Sequence, residues 1–306
     1  MDVSVIIVNY NTLALTQQCL DSVFEKTKDL SFEVILVDNG STDGSQEVFS
    51  KDDRITYIYS EENLGFGKAN NLGYEHATGK YLFLLNSDTY LVNNAIRLLW
   101  EKMESLYEDK QGKVACLGCM LRDEKGEMIH SYAKFPTMCH TFLEATLYPV
   151  LWKLHLIPQM PTTSNDGFEK ANDSSFDVDY ITGADLMIRK EVADQLGMFD
   201  PDFFMYSEET ELQYRYMKKG YRRMICQDPH IVHLEGRSNK EMSPYRTTIV
   251  LKSKLLYFKK TSAYIPYVVF SFLTKMCHFL TYLLTFPFLS GDAKGKVTHL
   301  WATIKM

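Results

Sequence analysis

Four runs of apolar residues, each followed by polar turn residues, divide the first third of the chain. They lie at 3–9, 32–37, 55–59 and 81–85, and helical patterns separate most of them. An apolar run without alternation is typical of a strand buried on both faces, as in a parallel sheet. The alternation of strands and helices predicts an α/β fold, Rossmann-like, with an open, mostly parallel central sheet flanked by helices. Such a sheet binds its ligand at the carboxyl edge of its strands.

Two aspartates follow strands of this predicted sheet. Asp88 closes the triplet Asn86-Ser87-Asp88 directly after the fourth run, and Asp38 follows the second run. A hard cation such as Mg²⁺ or Mn²⁺ prefers carboxylate oxygens, so Asp88 is a candidate metal ligand. Asp38 could accept a hydrogen bond from a nucleobase or a ribose hydroxyl, or it could only cap the next helix.

The regular alternation stops after about residue 110. A turn-rich segment at 122–127 lies between two β-rich runs and predicts a hairpin. A helix is predicted from Ser207 to Lys219, with Ser207 as its N-cap and Gly220 as its C-terminal cap. The apolar stretch 137–158 fits either a core helix or a segment that lies at the surface.

Charge is distributed unevenly along the chain. The net charge is −6, but residues 237–306 carry 11 Lys and Arg against two acids, which leaves −15 on residues 1–236. The acidic body argues against nucleic acid as a partner. The basic, aromatic tail predicts that the chain binds an anionic surface. Residues 267–286 contain only Lys275 and His278 as groups that can carry charge. This segment predicts an amphipathic helix on a membrane surface; a bilayer span, a helical cap and a homodimer interface are the alternatives.

The six cysteines do not form a disulfide-like framework. Cys116 and Cys119 have the spacing of half a zinc site, but they lack a second pair and are expected to be packed thiols in a strand. No signal peptide precedes the first strand. These features predict a cytoplasmic protein in a reducing compartment.

Two further groups could take part in chemistry. Glu208 and Glu209 lie in the first turn of the predicted helix, where acids stabilise the helix dipole; one of them could instead be a general base. His230 and His233 follow a β-rich run, and either could be a core residue. A histidine could also complete a metal site that has only one carboxylate in its triplet.

The arrangement of seven sequence blocks resembles that of the family 2 glycosyltransferases, and most closely their rhamnosyltransferase-like branch. The resemblance covers about residues 1–240. The blocks are VSVIIVNYN at 3–11, VDNGSTDGS at 37–45, NLGFGKANNLG at 63–73, LLNSDT at 84–89, ITGADLMIR at 181–189, FDPDFFMYSEETEL at 199–212 and VHLEGRS at 232–238.

The resemblance implies a GT-A fold that transfers a sugar, with inversion, from a nucleotide diphosphate. A nucleotide-binding half at 1–110 and an acceptor half at 111–240 would form the domain, followed by the tail at 241–306. The implied roles are nucleotide binding for Val8, Tyr10, Asp38, Asn86 and Ser87; metal binding for Asp88 and His233; the sugar or acceptor pocket for Gly183, Ala184 and Asp185; and the general base for Glu209.

Two positions depart from the family pattern. Asn86 stands where the first acid of the metal triplet is usual, and Glu209 stands where the base is usually Asp, which leaves Glu208 as the alternative base. The first departure keeps open a catalytically weak or inactive sugar-nucleotide-binding scaffold. A pyrophosphorylase is excluded, since the loop after the first strand is not rich in glycine and basic residues.

The resemblance also implies partners and a location. The donor would be a nucleotide-diphosphate sugar, possibly of rhamnose, with Mn²⁺ or Mg²⁺ as its cofactor. The acceptor would be a glycan or a polyprenyl-linked glycan in cell-surface polysaccharide synthesis. The protein would be peripheral on the inner face of the plasma membrane.

Overall fold

The computed structural model describes residues 1–106, 113–153, 174–234 and 244–285. The strands in these ranges are β1 Val3–Asn9, β2 Phe32–Asp38, β3 Thr56–Tyr59, β4 Tyr81–Asn86, β5 Thr89–Leu91, β6 Val114–Cys119, β7 Tyr132–Ala133, β8 Ser175–Asp177, β9 Tyr180–Ile181, β10 Asp185–Arg189, β11 Arg222–Cys226 and β12 Ile231–His233. The helices are α1 Leu13–Lys26, α2 Ser45–Phe49, α3 Phe66–Tyr74, α4 Ala95–Ser105, α5 Met138–Lys153, α6 Lys190–Leu196, α7 Glu208–Lys218, α8 Pro244–Thr261 and α9 Tyr264–Thr285.

Eight of the described strands form one sheet, in the order β3-β2-β1-β4-β10-β6-β11-β8. The first four are parallel to one another, and β6 and β11 form a second parallel pair. β10 is antiparallel to both of its neighbours, β4 and β6, and β8 is an antiparallel edge strand. The predicted α/β class with a mostly parallel central sheet is confirmed.

β4 lies near the middle of the sheet and is buried on both faces, as its apolar run predicts. Phe83 belongs to the core that includes residues of α1 and α4. Leu84 belongs to the core on the other face, with residues of α3, α6 and α7. Two apolar layers therefore cover the strand that leads into the Asn86-Ser87-Asp88 triplet.

The predicted hairpin follows β6 and lies outside the strands of the eight-stranded sheet. Arg122 pairs with Met128 in an antiparallel bridge, and Asp123 N–H donates to the Glu127 carbonyl at 2.8 Å. The helix predicted from Ser207 begins at Glu208, and Ser207 itself has a φ of 66° rather than the extended backbone of a usual N-cap.

The cysteines in the described ranges are free thiols. Cys116 and Cys119 are fully buried in β6, as expected for packed thiols, and burial raises the pKa of Cys116 to about 12. A thiol with so high a pKa is a poor metal ligand and a poor nucleophile.

The described residues pack as two compact units. The first comprises 1–135, 174–204 and 208–234, and it contains the whole sheet. The second comprises 136–153, 205–207 and 244–285, and therefore includes α5, α8 and α9. The second unit thus combines α5, from the middle of the chain, with α8 and α9; the domain boundary predicted at residue 240 stays a prediction.

The helices of the second unit pack through aromatic and charged contacts. The rings of Phe258 and Phe270 meet edge to face at 5.0 Å, and Lys254 Nζ lies 2.7 Å from Glu144 Oε2. The stretch 137–158 is helical over α5 and packs within this unit rather than alone at a surface. In the ranges that the structure describes, no helix combines the length and the apolar character that crossing a bilayer requires.

Candidate active site

The carboxyl ends of three parallel strands bring the first predicted site residues to one edge of the sheet. Asn9 at the end of β1 is level with Asp38 of β2, and Val8 is level with Asn86 of β4. Polar side chains that are far apart in sequence therefore meet at one edge, as the strand pattern predicts.

Asp88 and His233 lie side by side at this edge. His233 Nε2 is 3.2 Å from Asp88 Oδ1, and both side chains are largely buried. The short strands β5 and β12 create this contact, because they pair antiparallel with Thr89 opposite His233. The Asp88 carbonyl also accepts a hydrogen bond from Leu234 N–H at 2.9 Å. Backbone pairing thus fixes the two side chains that the resemblance assigns to a metal.

His230, the other candidate histidine, is held differently. Its backbone N–H donates to Asn93 Oδ1 at 2.9 Å, and its carbonyl accepts from Val92 N–H at 2.9 Å. These bonds fix His230 at the start of the segment that leads into β12. Of the two histidines, His233 is the one in contact with Asp88.

The other two members of the triplet are tied to neighbouring segments. Asn86 N–H donates to the Ala184 carbonyl at 2.9 Å, and the Asn86 carbonyl accepts from the Thr89 hydroxyl at 2.7 Å. The Ser87 hydroxyl lies 3.1 Å from that of Thr12. Asn86 and Ser87 are both partly exposed at the edge, where a nucleotide could reach them.

Asp38 is fully buried and organises the loop after β2. Its carboxylate accepts from the Tyr57 hydroxyl at 2.8 Å and from Ser41 N–H at 3.1 Å. Asn9 Nδ2 approaches the same carboxylate at 3.4 Å. Burial and this carboxylate raise the pKa of Tyr57 well above its ordinary value. Asp38 does not cap a helix through these contacts, and a direct bond to a nucleobase stays a prediction.

Val8 and Tyr10 flank the end of β1 and differ in exposure. Val8 is partly buried within the strand, whereas Tyr10 follows the strand and is exposed. An exposed ring at the carboxyl edge offers an apolar face to a planar group such as a base. The nucleotide-binding roles predicted for both residues stay predictions.

Gly183 brings the predicted acceptor pocket next to the predicted base. A Cβ atom at Gly183 would lie 3.2 Å from the ring of Phe66 and 3.9 Å from Glu209 Cβ. The following residue, Ala184, bonds to Asn86 through its carbonyl. A chain of direct contacts therefore connects Glu209, Gly183, Ala184 and the triplet.

Glu208 and Glu209 occupy different surroundings in the first turn of α7. Glu208 is buried, and a Cβ atom at Gly67 would lie 3.6 Å from its Cβ. Glu209 is partly exposed, and its Cβ lies 3.9 Å from the position that a Cβ atom at Gly183 would occupy. Desolvation raises the pKa of Glu209 above its ordinary value. A raised pKa makes a carboxylate a better proton acceptor, which suits a general base.

Asp185 is a fully buried carboxyl group at the start of β10. Its Oδ2 accepts from Cys119 N–H at 2.6 Å. Desolvation raises the pKa of Asp185 to about 7, and the hydrogen bond from Cys119 lowers it. Since the side chain is buried from solvent, direct contact with an acceptor, as the resemblance implies for this position, stays a prediction.

Phe66 is a site residue that the residue-by-residue reading missed. Its ring lies against Gly183, and its N–H donates to the Phe204 carbonyl at 3.0 Å. Gly65 makes this approach possible, because any Cβ there would lie 2.0 Å from the Phe204 carbonyl oxygen and its φ is +80°. The signal was present in the block at 63–73, but its role depends on contacts with residues more than 100 positions away.

Asp88 and His233 at the edge would provide part of a binding site for a borderline divalent cation. An imidazole nitrogen and a carboxylate oxygen suit Mn²⁺, and diphosphate oxygens complete the coordination of such ions in many nucleotide sites. Within the described parts of the chain, no group of three or more His, Cys, Asp or Glu side chains could hold a metal ion. Asp88 and His233 are thus two donors that fit a cation delivered with a diphosphate.

Comparison with known proteins agrees with this geometry. Residues 4–126 match the family model described as glycosyl transferase family 2. That range contains β1 to β5, with Asp38 and the triplet at the carboxyl edge. Over this range the chain is similar to the family 2 glycosyltransferases.

Curated relatives extend the match beyond the family model. An N-acetylglucosaminyl-diphospho-decaprenol L-rhamnosyltransferase of Mycobacterium tuberculosis is 26% identical over 217 residues, which is 67% of each chain. A low-salt glycan biosynthesis hexosyltransferase of Haloferax volcanii is 25% identical over 279 residues, 89% of this chain and 81% of the relative. Glycosyltransferase GlyG of Streptococcus pneumoniae is 31% identical, but over only 33% of this chain and 35% of its own.

Solved structures share the fold. A mannosyltransferase from Pyrobaculum calidifontis, in complex with GDP-Man and Mn²⁺, has a TM-score of 0.56 and 15% identity over 99% of this chain and 86% of its own. A second structure, with UDP, GalNAc and Mn²⁺, has a TM-score of 0.55 and 16% identity, and covers 84% of this chain. The chain spans 50% of that second protein. The chain therefore has the GT-A fold of these glycosyltransferases.

Proposed function

We propose that this glycosyltransferase moves a sugar, with inversion, from a nucleotide diphosphate to a hydroxyl group of a lipid-linked glycan. The observation that carries the proposal is the contact between Asp88 and His233 at the carboxyl edge, 3.2 Å between atoms that are 145 positions apart in sequence. The position of Glu209 also supports the proposal, because Glu209 lies close to Gly183, the residue before Ala184.

Glu209 is the general base of the proposed reaction. The acceptor hydroxyl loses its proton to the Glu209 carboxylate as its oxygen attacks the anomeric carbon, and the nucleotide diphosphate leaves from the opposite face. The raised pKa of Glu209 supports this role, because it increases the driving force for proton transfer. The partial exposure of Glu209 favours it over the buried Glu208.

Asp88 and His233 would hold a divalent cation, Mn²⁺ or Mg²⁺. When bound, such a cation neutralises negative charge that develops on the diphosphate. Asn86 is an amide in place of the usual acid, so the protein offers less charge to the cation than two carboxylates would. Structures of the same fold that contain Mn²⁺ support this choice of cofactor.

The proposed acceptor and donor follow from the curated relatives. The name of the mycobacterial relative describes a rhamnosyl transfer to a polyprenyl-diphosphate-linked N-acetylglucosamine. By analogy, we assign this chain a polyprenyl-linked acceptor in cell-surface polysaccharide synthesis, a nucleotide-diphosphate rhamnose donor and a place on the inner face of the plasma membrane.

Sugar transfer by the full chain tests the proposal. Nucleotide-diphosphate rhamnose, Mn²⁺ and polyprenyl-diphosphate N-acetylglucosamine are supplied, with UDP- and GDP-sugars as alternative donors. Glu209→Gln should lower kcat by about 10² to 10⁴, and Asp88→Asn should lower it by about 100-fold or more. Nuclear magnetic resonance of the product reports whether the anomeric configuration is inverted.

Glu208→Gln is the matched control, because it removes the neighbouring carboxylate from the same helical turn. It should retain most of the activity if Glu209 is the base. An inactive Glu208→Gln beside an active Glu209→Gln would contradict the assignment. Retention of the anomeric configuration would contradict the inverting mechanism.

A sugar-nucleotide-binding scaffold is the second candidate function, favoured by Asn86 in the triplet. It predicts that the chain binds a nucleotide sugar with Mn²⁺ yet neither transfers nor hydrolyses the sugar. Binding measured by calorimetry, together with the transfer assay, separates the two functions.

A further inference from the structure

Helix α9 exposes an unusual amount of apolar surface. Ile265 is 73% exposed and Phe272 is 64% exposed. The exposed large apolar residues of this helix, here called the α9 stripe, are Tyr264, Ile265, Val268, Val269, Phe272, Leu273, Met276 and Leu280. A contiguous apolar patch of this kind on a water-soluble surface indicates an interaction site.

The members of the α9 stripe share one side of the helix. Their spacing of three or four residues puts them on a single face, as in an amphipathic helix. The opposite face is the one that packs inside the second unit, where Phe270, Ser271 and Thr274 are buried. One face of the helix is therefore buried within the second unit, and the apolar face formed by the α9 stripe is exposed.

An apolar groove continues the stripe. It has a volume of about 450 Å³ and lies between α5 and α9. Met138 and Phe142 of α5 line one side, and Ile265, Val269 and Leu273 of the stripe line the other. Such a groove can accommodate an acyl chain beside the exposed face.

Helices α8 and α9 are basic and contain no acid, whereas α5 contributes Glu144, which pairs with Lys254. Residues 244–285 include six Lys and Arg residues and no Asp or Glu. Lys259 and Lys260 are exposed in the last turn of α8, only four to six positions before Tyr264 and Ile265. Lys275, partly exposed, lies on α9 itself. Cationic side chains thus lie next to the apolar stripe.

This charge pattern favours an anionic partner over a second copy of the chain. Two copies meeting through their α9 stripes would bring like charges together, which weakens association. An anionic lipid surface would attract the same lysines. Each lysine would increase the affinity of the chain for that surface roughly fivefold.

We propose that the α9 stripe, together with Lys259 and Lys260, is a docking surface for an anionic phospholipid bilayer. The apolar side chains enter the boundary between headgroups and acyl chains, and the lysines remain at the headgroups. This surface shares no residue with the candidate active site. It rests on the membrane location in the proposed function and is tested by vesicle binding, without sugar transfer, so that the two can fail separately.

Sedimentation of the full chain with vesicles tests the surface. The vesicles are made of phosphatidylcholine alone or of phosphatidylcholine with phosphatidylglycerol. The chain should bind the phosphatidylglycerol vesicles more tightly, and added salt should remove that advantage. Lys259→Gln with Lys260→Gln should weaken binding to the anionic vesicles by about 25-fold and leave binding to phosphatidylcholine nearly unchanged.

A second pair of variants tests the apolar part. Ile265→Ser with Phe272→Ser should weaken binding to both kinds of vesicle by about 100-fold, because two inserted side chains are lost. The matched control is Val48→Ser with Met128→Ser, which removes two exposed apolar side chains from the other unit. The control should bind as the unaltered chain does, and circular dichroism verifies that all variants fold.

Three outcomes would overturn the proposal. The unaltered chain could fail to bind either vesicle, or the folded Ile265→Ser/Phe272→Ser variant could bind as tightly as its control. Light scattering could instead reveal a dimer that the stripe substitutions dissociate while vesicle binding is absent, which would assign the surface to a second copy.

Discussion

At the scale of single residues, the candidate site combines side chains whose charge is set by different surroundings. Asp88 is paired with His233 at the edge of the sheet, Asp185 is buried away from solvent, and Glu209 is partly exposed with a raised pKa. Carboxylates in one region can take different roles when desolvation and partners shift their proton affinities apart.

Asp185 should make the stability of the metal-free protein depend on pH. Its pKa is about 7 in the folded chain, against the ordinary value near 4 when unfolded. Between these pH values only the unfolded chain releases the proton, so the free energy of unfolding falls as the pH rises towards 7 and then levels off. Asp185→Asn should abolish this fall, which amounts to at most about 4 kcal/mol.

Urea denaturation from pH 4.5 to 8 in the presence of a chelator measures the effect. Asp21→Asn, which removes an exposed carboxylate on α1, is the control and should retain the dependence of the unaltered chain. Parallel curves for the unaltered chain and Asp185→Asn would contradict the prediction.

At the scale of elements, one buried arginine of β10 bonds to residues of β4, β6 and α4. Arg189 at the end of β10 donates from Nε to the Val114 carbonyl at 2.6 Å and from Nη2 to the Met103 carbonyl at 2.7 Å. Its Nη1 donates to the Tyr81 hydroxyl at 2.9 Å. Arg189 is opposite Tyr81 at the end of β10 away from the site, so this anchor holds the strand against the start of β4.

Arg189→Met should therefore be strongly destabilising. It leaves two buried carbonyl groups and a hydroxyl without their donor, at an expected cost of about 3 kcal/mol in the free energy of unfolding. Urea denaturation measures the loss. Arg97→Met, which removes exposed ion pairs on α4, should change stability little. Similar midpoints for the two variants would show that the buried bonds contribute little.

At the scale of the whole molecule, the metal and the nucleotide should bind together. The described protein residues supply two donors to a cation, so Mn²⁺ alone should bind weakly and the diphosphate should complete the site. We expect UDP or GDP with Mn²⁺ to raise Tm by several degrees, and by more than the sum of the separate shifts.

Differential scanning fluorimetry with each component alone and together measures this coupling. Asp88→Asn should lose the extra shift while keeping its own folded transition. His76→Ala, which removes an exposed histidine just after α3, should keep it. An equal shift with nucleotide in the presence and absence of Mn²⁺ would contradict a shared site.

The sequence determines the fold class and the candidate residues, because both depend on local patterns. Unbroken apolar runs such as 81–85 can only be buried, and polar residues that end parallel strands must reach the same edge of the sheet. The match of sequence blocks then indicates the family and the roles of Asp88 and Glu209.

Only the tertiary structure decides which of these residues meet. The pairing of β5 with β12 puts His233 rather than His230 beside Asp88, and the fold brings Gly183 close to both Phe66 and Glu209. The tertiary structure also decides which residues are buried: Asp185 is shielded from solvent, whereas the α9 stripe is exposed. These outcomes depend on contacts between residues far apart in sequence, and local patterns carry no information about such contacts.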